Sequence, residues 1–299
     1  MKSIQLLSRN IAKNTILSNK KIHFITKEIH VRPGVVLTIQ DGATLYLMNG
    51  TVRGSKIKRA ALIFEQGSKL RSKKFTLVAA NSEGKPEKFA NNGGIWFCGN
   101  YRSASKDNIS VKCNPKKRIS KFNAAEIKTF YLGRIDSSQK TSEKKIRQSL
   151  KSGDDIDGIS ILGVGRNEWN IRSIKSYYSG DGGIDLTNSD VQLDKIYIKN
   201  PIEDGLDVRS SRIQIKKSLT INVGGHGSDR DLFDLEADDG AAYVEINKGC
   251  RLNLHGVFGD ELNLSSIDMP PIRRAKNAIY KFVGRSKKAD SLIYTITED

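Results

Sequence analysis

Gly183-Ile184-Asp185-Leu186-Thr187-Asn188-Ser189-Asp190-Val191-Gln192-Leu193 is answered 22 residues later by Gly205-Leu206-Asp207-Val208-Arg209-Ser210-Ser211-Arg212-Ile213-Gln214-Ile215. Glycine, aspartate, serine and glutamine recur identically, and the apolar positions recur in kind. A repeat of this period marks one supersecondary unit stacked on its neighbours. Apolar residues alternate at period two within each unit, so the unit consists of strands.

The same grammar extends outward. Residues 35–39, the turn Asp41-Gly42 and residues 44–47 read as strand–turn–strand. Residues 61–64, Gln66-Gly67 and Lys69-Leu70 repeat it 25 residues on, with Gly42 and Gly67 marking equivalent bends. Further strands are expected at 95–98, 128–132, 158–162, 169–174, 232–235, 242–246 and 252–254. Coils of 22–27 residues without long helices between them predict an all-β parallel β-helix solenoid over residues 23–268. A basic, serine-rich irregular excursion is expected at 102–155.

Ile4, Leu7 and Ile11 stand at helical spacing and predict a short helical cap within residues 1–22. Pro270-Pro271 ahead of Ile272, Ala275, Ile279, Phe282 and Gly284 predicts a second helical cap within residues 269–299. Such caps would cover the open sheet edges.

The 299 residues carry a net charge of +17, unevenly placed: +21 in residues 1–150 and −4 in residues 151–299. A basic half suits a polyanion, whether acidic polysaccharide, nucleic acid or an anionic surface. Along the sequence the aromatic residues are not interleaved with the lysines, as a platform for single strands would require. No apolar run reaches the roughly 18 residues of a membrane span, and no signal peptide is visible. A cytoplasmic, virion- or assembly-associated setting is therefore expected. Cys98, Cys113 and Cys250 lack metal spacing, and an odd count argues against a disulfide framework. Trp96, Trp169, His23, His30 and His255 read as structural or solvated.

Residues 181–239 hold 13 acidic against 7 basic side chains. Asp185 and Asp207 share a register, and Asp234 reads as the next member. Carboxylates stacked roughly 4.8 Å apart repel unless protonated or bridged by a cation. Asp181, Asp185, Asp207 and Asp234 could hold Ca2+, with Asp204 and Asp231 adding oxygens. They could equally form a structural ladder bonded to local backbone amides.

The strand–turn–strand coils resemble the pectin-lyase-like family over about residues 23–268. That resemblance, with the general preference for right-handed crossovers, implies a right-handed superhelix. Glu203-Asp204-Gly205 followed by Gly225-His226-Gly227 resembles the polygalacturonase-type glycoside hydrolases. The resemblance implies Asp204 as general acid, Glu203 positioning water and His226 beside them, with Asp207 in the same cluster. The family's preceding aspartate falls on Gly182, and its closing Arg-Ile-Lys is at best Arg251-Leu252-Asn253. Arg209, Arg230 and Arg251 are the candidate substrate-binding cations. A lyase of this fold would instead draw a base from Arg209, Arg212, Lys216 or Arg230. Three functions remain open: a carbohydrate-active protein acting on or binding an acidic polysaccharide, a non-catalytic recognition or scaffold module, and a nucleic-acid-associated protein.

Overall fold

The computed structural model describes residues 3–53, 56–88, 91–101, 118–133, 157–223, 232–236, 242–247, 250–255 and 279–282. Its strands are, in order, β1 Ser3–Leu7, β2 Thr15–Leu17, β3 Lys21–Ile25, β4 Glu28–Val31, β5 Val36–Ile39, β6 Ala43–Met48, β7 Thr51–Arg53 and β8 Lys56–Lys58. There follow β9 Ala61–Phe64, β10 Lys69–Ser72, β11 Lys74–Ala80, β12 Ile95–Cys98, β13 Lys121–Ala124, β14 Glu126–Phe130, β15 Ile159–Leu162, β16 Trp169–Ile171 and β17 Ser173–Tyr177. The last are β18 Ile184–Thr187, β19 Asp190–Lys199, β20 Leu206–Arg209, β21 Arg212–Asn222, β22 Phe233–Glu236, β23 Tyr243–Ile246, β24 Arg251–His255 and β25 Ile279–Phe282.

Three parallel sheets result. Sheet 1 has eleven strands in the order β1-β3-β6-β11-β14-β17-β19-β21-β24-β25, with β23 also on β21. Sheet 2 runs β22-β20-β18-β15-β12-β9-β4, and sheet 3 runs β16-β13-β10-β5-β2. Only the hairpin β7–β8 is antiparallel among the described strands. From β4 to β18 the chain visits sheet 2, then 3, then 1, and returns to sheet 2 one strand further along. Parallel pairing demands this long return, because two parallel neighbours cannot be joined by a hairpin. In β19 and β21 the last two visits merge into one long strand, with a register shift between Leu193 and Lys195.

Side chains from all three sheets meet in one continuous core running from Leu7 to Leu254. Phe64, Phe97, Phe122 and Trp169 form its aromatic centre; Phe97 lies 5.3 Å from Phe64, 5.1 Å from Phe122 and 5.4 Å from Trp169. His23 is fully buried with Nε2 2.7 Å from the Ser18 carbonyl, a structural role as expected.

The recurring glycine and serine of the repeat, and the corner between them, have physical reasons. A Cβ on Gly183 would sit 2.6 Å from the Gly205 carbonyl oxygen, and one on Gly205 2.5 Å from that of Leu232. Asn188 and Ser210 turn the corner from sheet 2 with φ of 50° and 47°. Ser189 and Ser211 are buried behind them; Ser211 Oγ accepts from the Ser189 amide and donates to the carbonyls of Leu186 and Arg209.

The expected N-terminal helix is not formed. Ser3–Leu7 is β1, paired in register with β3 from Ser3–Lys21 to Leu7–Ile25. A neighbouring strand offers these residues a full ladder, which outweighs a helical spacing of three apolar residues. Ile279–Phe282, placed in the expected C-terminal helix, is strand β25 on β24; the remainder of that helix lies outside the described residues. Gly42 and Gly67 are not equivalent: Gly42 turns between sheets 3 and 1, whereas Gly67 turns between sheets 2 and 3 and stacks on Gly34. Inside the expected excursion, residues 121–124 and 126–130 are regular members of sheets 3 and 1. Cys98 is disulfide-bonded, against the odd-count expectation, and Cys250 is a buried free thiol whose pKa burial pushes up to about 11. No helix among the described residues is long and apolar enough to cross a membrane.

Candidate functional site: a column of carboxylates

In sheet 2 the residues at alternate positions face the core: Ile184 and Leu186, Leu206 and Val208, Phe233 and Leu235. The intervening positions therefore face outward. One outward register runs Trp96, Ser160, Asp185, Asp207, Asp234. The structure thus brings together the three aspartates expected to share a column. Asp185 is buried at 8% exposure and accepts a hydrogen bond from Thr187 Oγ1 at 3.3 Å. Asp207 and Asp234 are partly exposed. Asp207 Oδ1 is buried and accepts no hydrogen bond.

The turns entering sheet 2 stack beside this column. The Glu203 amide donates to the Asp181 carbonyl at 3.5 Å, and the Gly183 amide donates to the Asp204 carbonyl at 2.9 Å. Asp181, Glu203 and Asp204 are all partly exposed there.

Asp157, which the sequence reading missed, completes the cluster. Its Oδ1 would lie 2.6 Å from a Cβ on Gly182, so the absence of that Cβ is what lets Asp157 lean across the next turn. A signal was present: Asp157-Gly158-Ile159 repeats Asp204-Gly205-Leu206, and the register Ile159–Ile184–Leu206 follows from the pairing. Asp157 stands one turn before the position that the family resemblance leaves to Gly182.

Crowding acts on the protons. Burial first, then Asp185, Asp204 and Glu203, hold Asp157 well above the usual carboxylate range, against a hydrogen bond from its own backbone. Burial first, then Asp185, Asp157 and Asp234, do the same for Asp207, against the pull of Arg209. Carboxylates that stay protonated beside ionised ones are the raw material of acid–base catalysis.

The other expected residues divide. Arg209 borders the column and is ion-paired with Glu236, its register partner on β22. Arg251 is exposed on β24 in sheet 1, not in the cluster. His226, Arg230 and Asp231 lie outside the described residues. Among the described residues no three His, Cys, Asp or Glu side chains converge as a metal-holding group. No family model, curated protein or solved structure matches this chain.

Proposed function

We propose that the chain is a right-handed parallel β-helix that hydrolyses an acidic polysaccharide at the carboxylate column. The observation that carries this reading is Asp157 leaning over Gly182 toward Asp185 and the Glu203-Asp204 turn. Asp157 and Asp204 are two strand spacings apart, about 9.6 Å along the stack, and the lean of Asp157 shortens that gap. Inverting glycosidases hold their two carboxyls about 6.5–9.5 Å apart, with water between them.

In this reading Asp157 is the general acid, because its environment keeps it protonated. It donates its proton to the glycosidic oxygen as the bond to the anomeric carbon breaks. Asp204 takes a proton from the water that attacks the opposite face, with Glu203 beside it. Asp185 contributes charge that raises Asp157, as do Asp204 and Glu203. The family resemblance gave the acid role to Asp204; the burial and lean of Asp157 favour the exchange.

The test follows new reducing ends and the absorbance of unsaturated product from polyuronates, with and without calcium. Hydrolysis by wild type, lost in Asp157→Asn and Asp204→Asn, supports the reading. Gly182→Ala sharpens it: the new methyl would crowd the end of the Asp157 side chain at 2.6 Å and otherwise meets Asp207 Cβ at an ordinary 3.9 Å, so cleavage should fall with the fold intact. Unsaturated product would point to a lyase. No cleavage from a folded sample would leave a non-catalytic recognition module.

A further inference from the structure

We propose that the outer face of sheet 1 is a track that holds the acidic glycan as an extended chain beside the carboxylate column. This rests on the glycan reading above and adds where the polymer lies.

The register of sheet 1 gathers what the sequence scatters. Three outward registers across β11, β14, β17, β19, β21 and β24 carry Lys74, Lys128, Lys175, Lys195, Lys199 and Arg251 against one acid, Glu126. The sheet's other acids, Asp190, Asp194 and Glu245, lie off these registers and are ion-paired with Arg166, Lys217 and Arg212. Between the cations run aromatic rings: Phe130 lies 4.8 Å from Tyr177 and nearly parallel at 18°, and Tyr177 lies 5.3 Å from Tyr197. Lys128 Nζ sits 4.7 Å from the Phe130 ring centre and 5.3 Å from that of Tyr177. Lysine and aromatic residues are therefore interleaved in space although not along the chain, which corrects the sequence reading. Lys128 and Lys175 are register partners one strand spacing apart, about 4.8 Å.

A second feature points the same way. Tyr131 and Tyr178 have φ of 57° and 55°, a left-handed conformation that bulky residues rarely adopt. Asn200 occupies the same place in the next turn at φ 51° and shows what the backbone alone prefers. Strain of this kind persists where a side chain is needed. The two rings stack at 5.0 Å and 15° and form a ridge at the corner between sheets 1 and 2. The turn of Tyr178 leads within three residues to Asp181, so the ridge adjoins the carboxylates.

The ring geometry selects the occupant. Tyr177 contacts both Phe130 and Tyr197, Lys128 lies over Phe130 and Tyr177, and Tyr131 and Tyr178 each turn one face to the other. Nucleic-acid bases need open ring faces. Ammonium groups repeated at the strand spacing suit the regularly spaced carboxylates of an acidic glycan.

The test measures binding of a fluorescently labelled oligogalacturonate by anisotropy at low salt. Lys128→Gln, Lys175→Gln and Lys199→Gln are combined in one variant. A charge-matched control carries Lys69→Gln, Arg71→Gln and Lys121→Gln on sheet 3. The sheet 1 variant should weaken binding about tenfold and the control less than about twofold. Equal weakening in both, no binding by wild type, or tighter binding of a single-stranded DNA of equal charge would overturn the track. Binding without cleavage would leave the track standing and remove the hydrolase reading, so the two proposals fail separately.

Discussion

The outer faces of sheets 1 and 2 share one backbone and one spacing, and they handle repeated charge in opposite ways. In-register parallel stacking sets equivalent side chains about 4.8 Å apart, so any charge that recurs with the repeat becomes a ladder. On sheet 1 the ladder is relieved by neighbours: Lys128 lies over two aromatic rings, and Lys175 pairs with Glu126 at 2.8 Å. On sheet 2 Asp185, Asp207 and Asp234 follow one another directly, and Asp157 adds a fourth carboxyl. Repulsion there is relieved by retaining protons. The same geometry thus leaves one face cationic and the other crowded with carboxyls that retain protons.

The sharpest break between the faces is catalytic. Asp157→Asn should reduce polyuronate cleavage by about 10²–10⁴-fold, the usual worth of a general acid, whereas Lys128→Gln should act through KM. Initial rates at saturating substrate decide it, and a kcat loss in Lys128→Gln would erase the division of labour.

Gly183→Ala strikes the corner that the two faces share. Its Cβ would meet the Gly205 carbonyl at 2.6 Å and an Ile198 methyl at 2.5 Å. A cost of about 1–3 kcal/mol in denaturant unfolding is expected, with both faces losing function together.

Asp207→Asn should stabilise the protein. Asp207 is held above its unfolded pKa, so its favourable contribution is present below about pH 4 and lost as pH rises through the folded value. At pH 7.5 the asparagine variant should be the more stable, because it has no carboxyl that must be held protonated among its acidic neighbours. Near pH 3.5 the gain should vanish. Thermal unfolding at the two pH values tests this, and a lower Tm for the variant at pH 7.5 would refute the crowding account.

The smallest effect belongs to sheet 1. Lys128→Gln removes a partly exposed cation–π contact and should cost about 0.5–1 kcal/mol. Lys175→Gln should cost no more than about 1 kcal/mol and lose it in salt. Urea titrations in low and high salt distinguish the pair.

Much of the stack was legible because a repeat with period-two alternation leaves few alternatives. Gly183 and Gly205, Asp185 and Asp207, and Ser189 and Ser211 each mark a position that recurs once per circuit. The ends were not legible. Residues 3–7 satisfy a helical spacing and a strand spacing alike, and only the neighbouring β3 decides between them. Gly42 and Gly67 looked equivalent because spacing along the chain carries no label for the corner being turned.

The sequence by itself determined that strands would stack and that three aspartates would share a register, because periodicity translates directly into ladders. Only the tertiary structure decided that Asp157 reaches across Gly182, since that contact depends on a missing Cβ one turn away. Only the tertiary structure interleaved Lys128 with Phe130 and Tyr177. Lys128 and Tyr177 are 49 residues apart in the chain, and parallel pairing across a full circuit of the sheets brings them together.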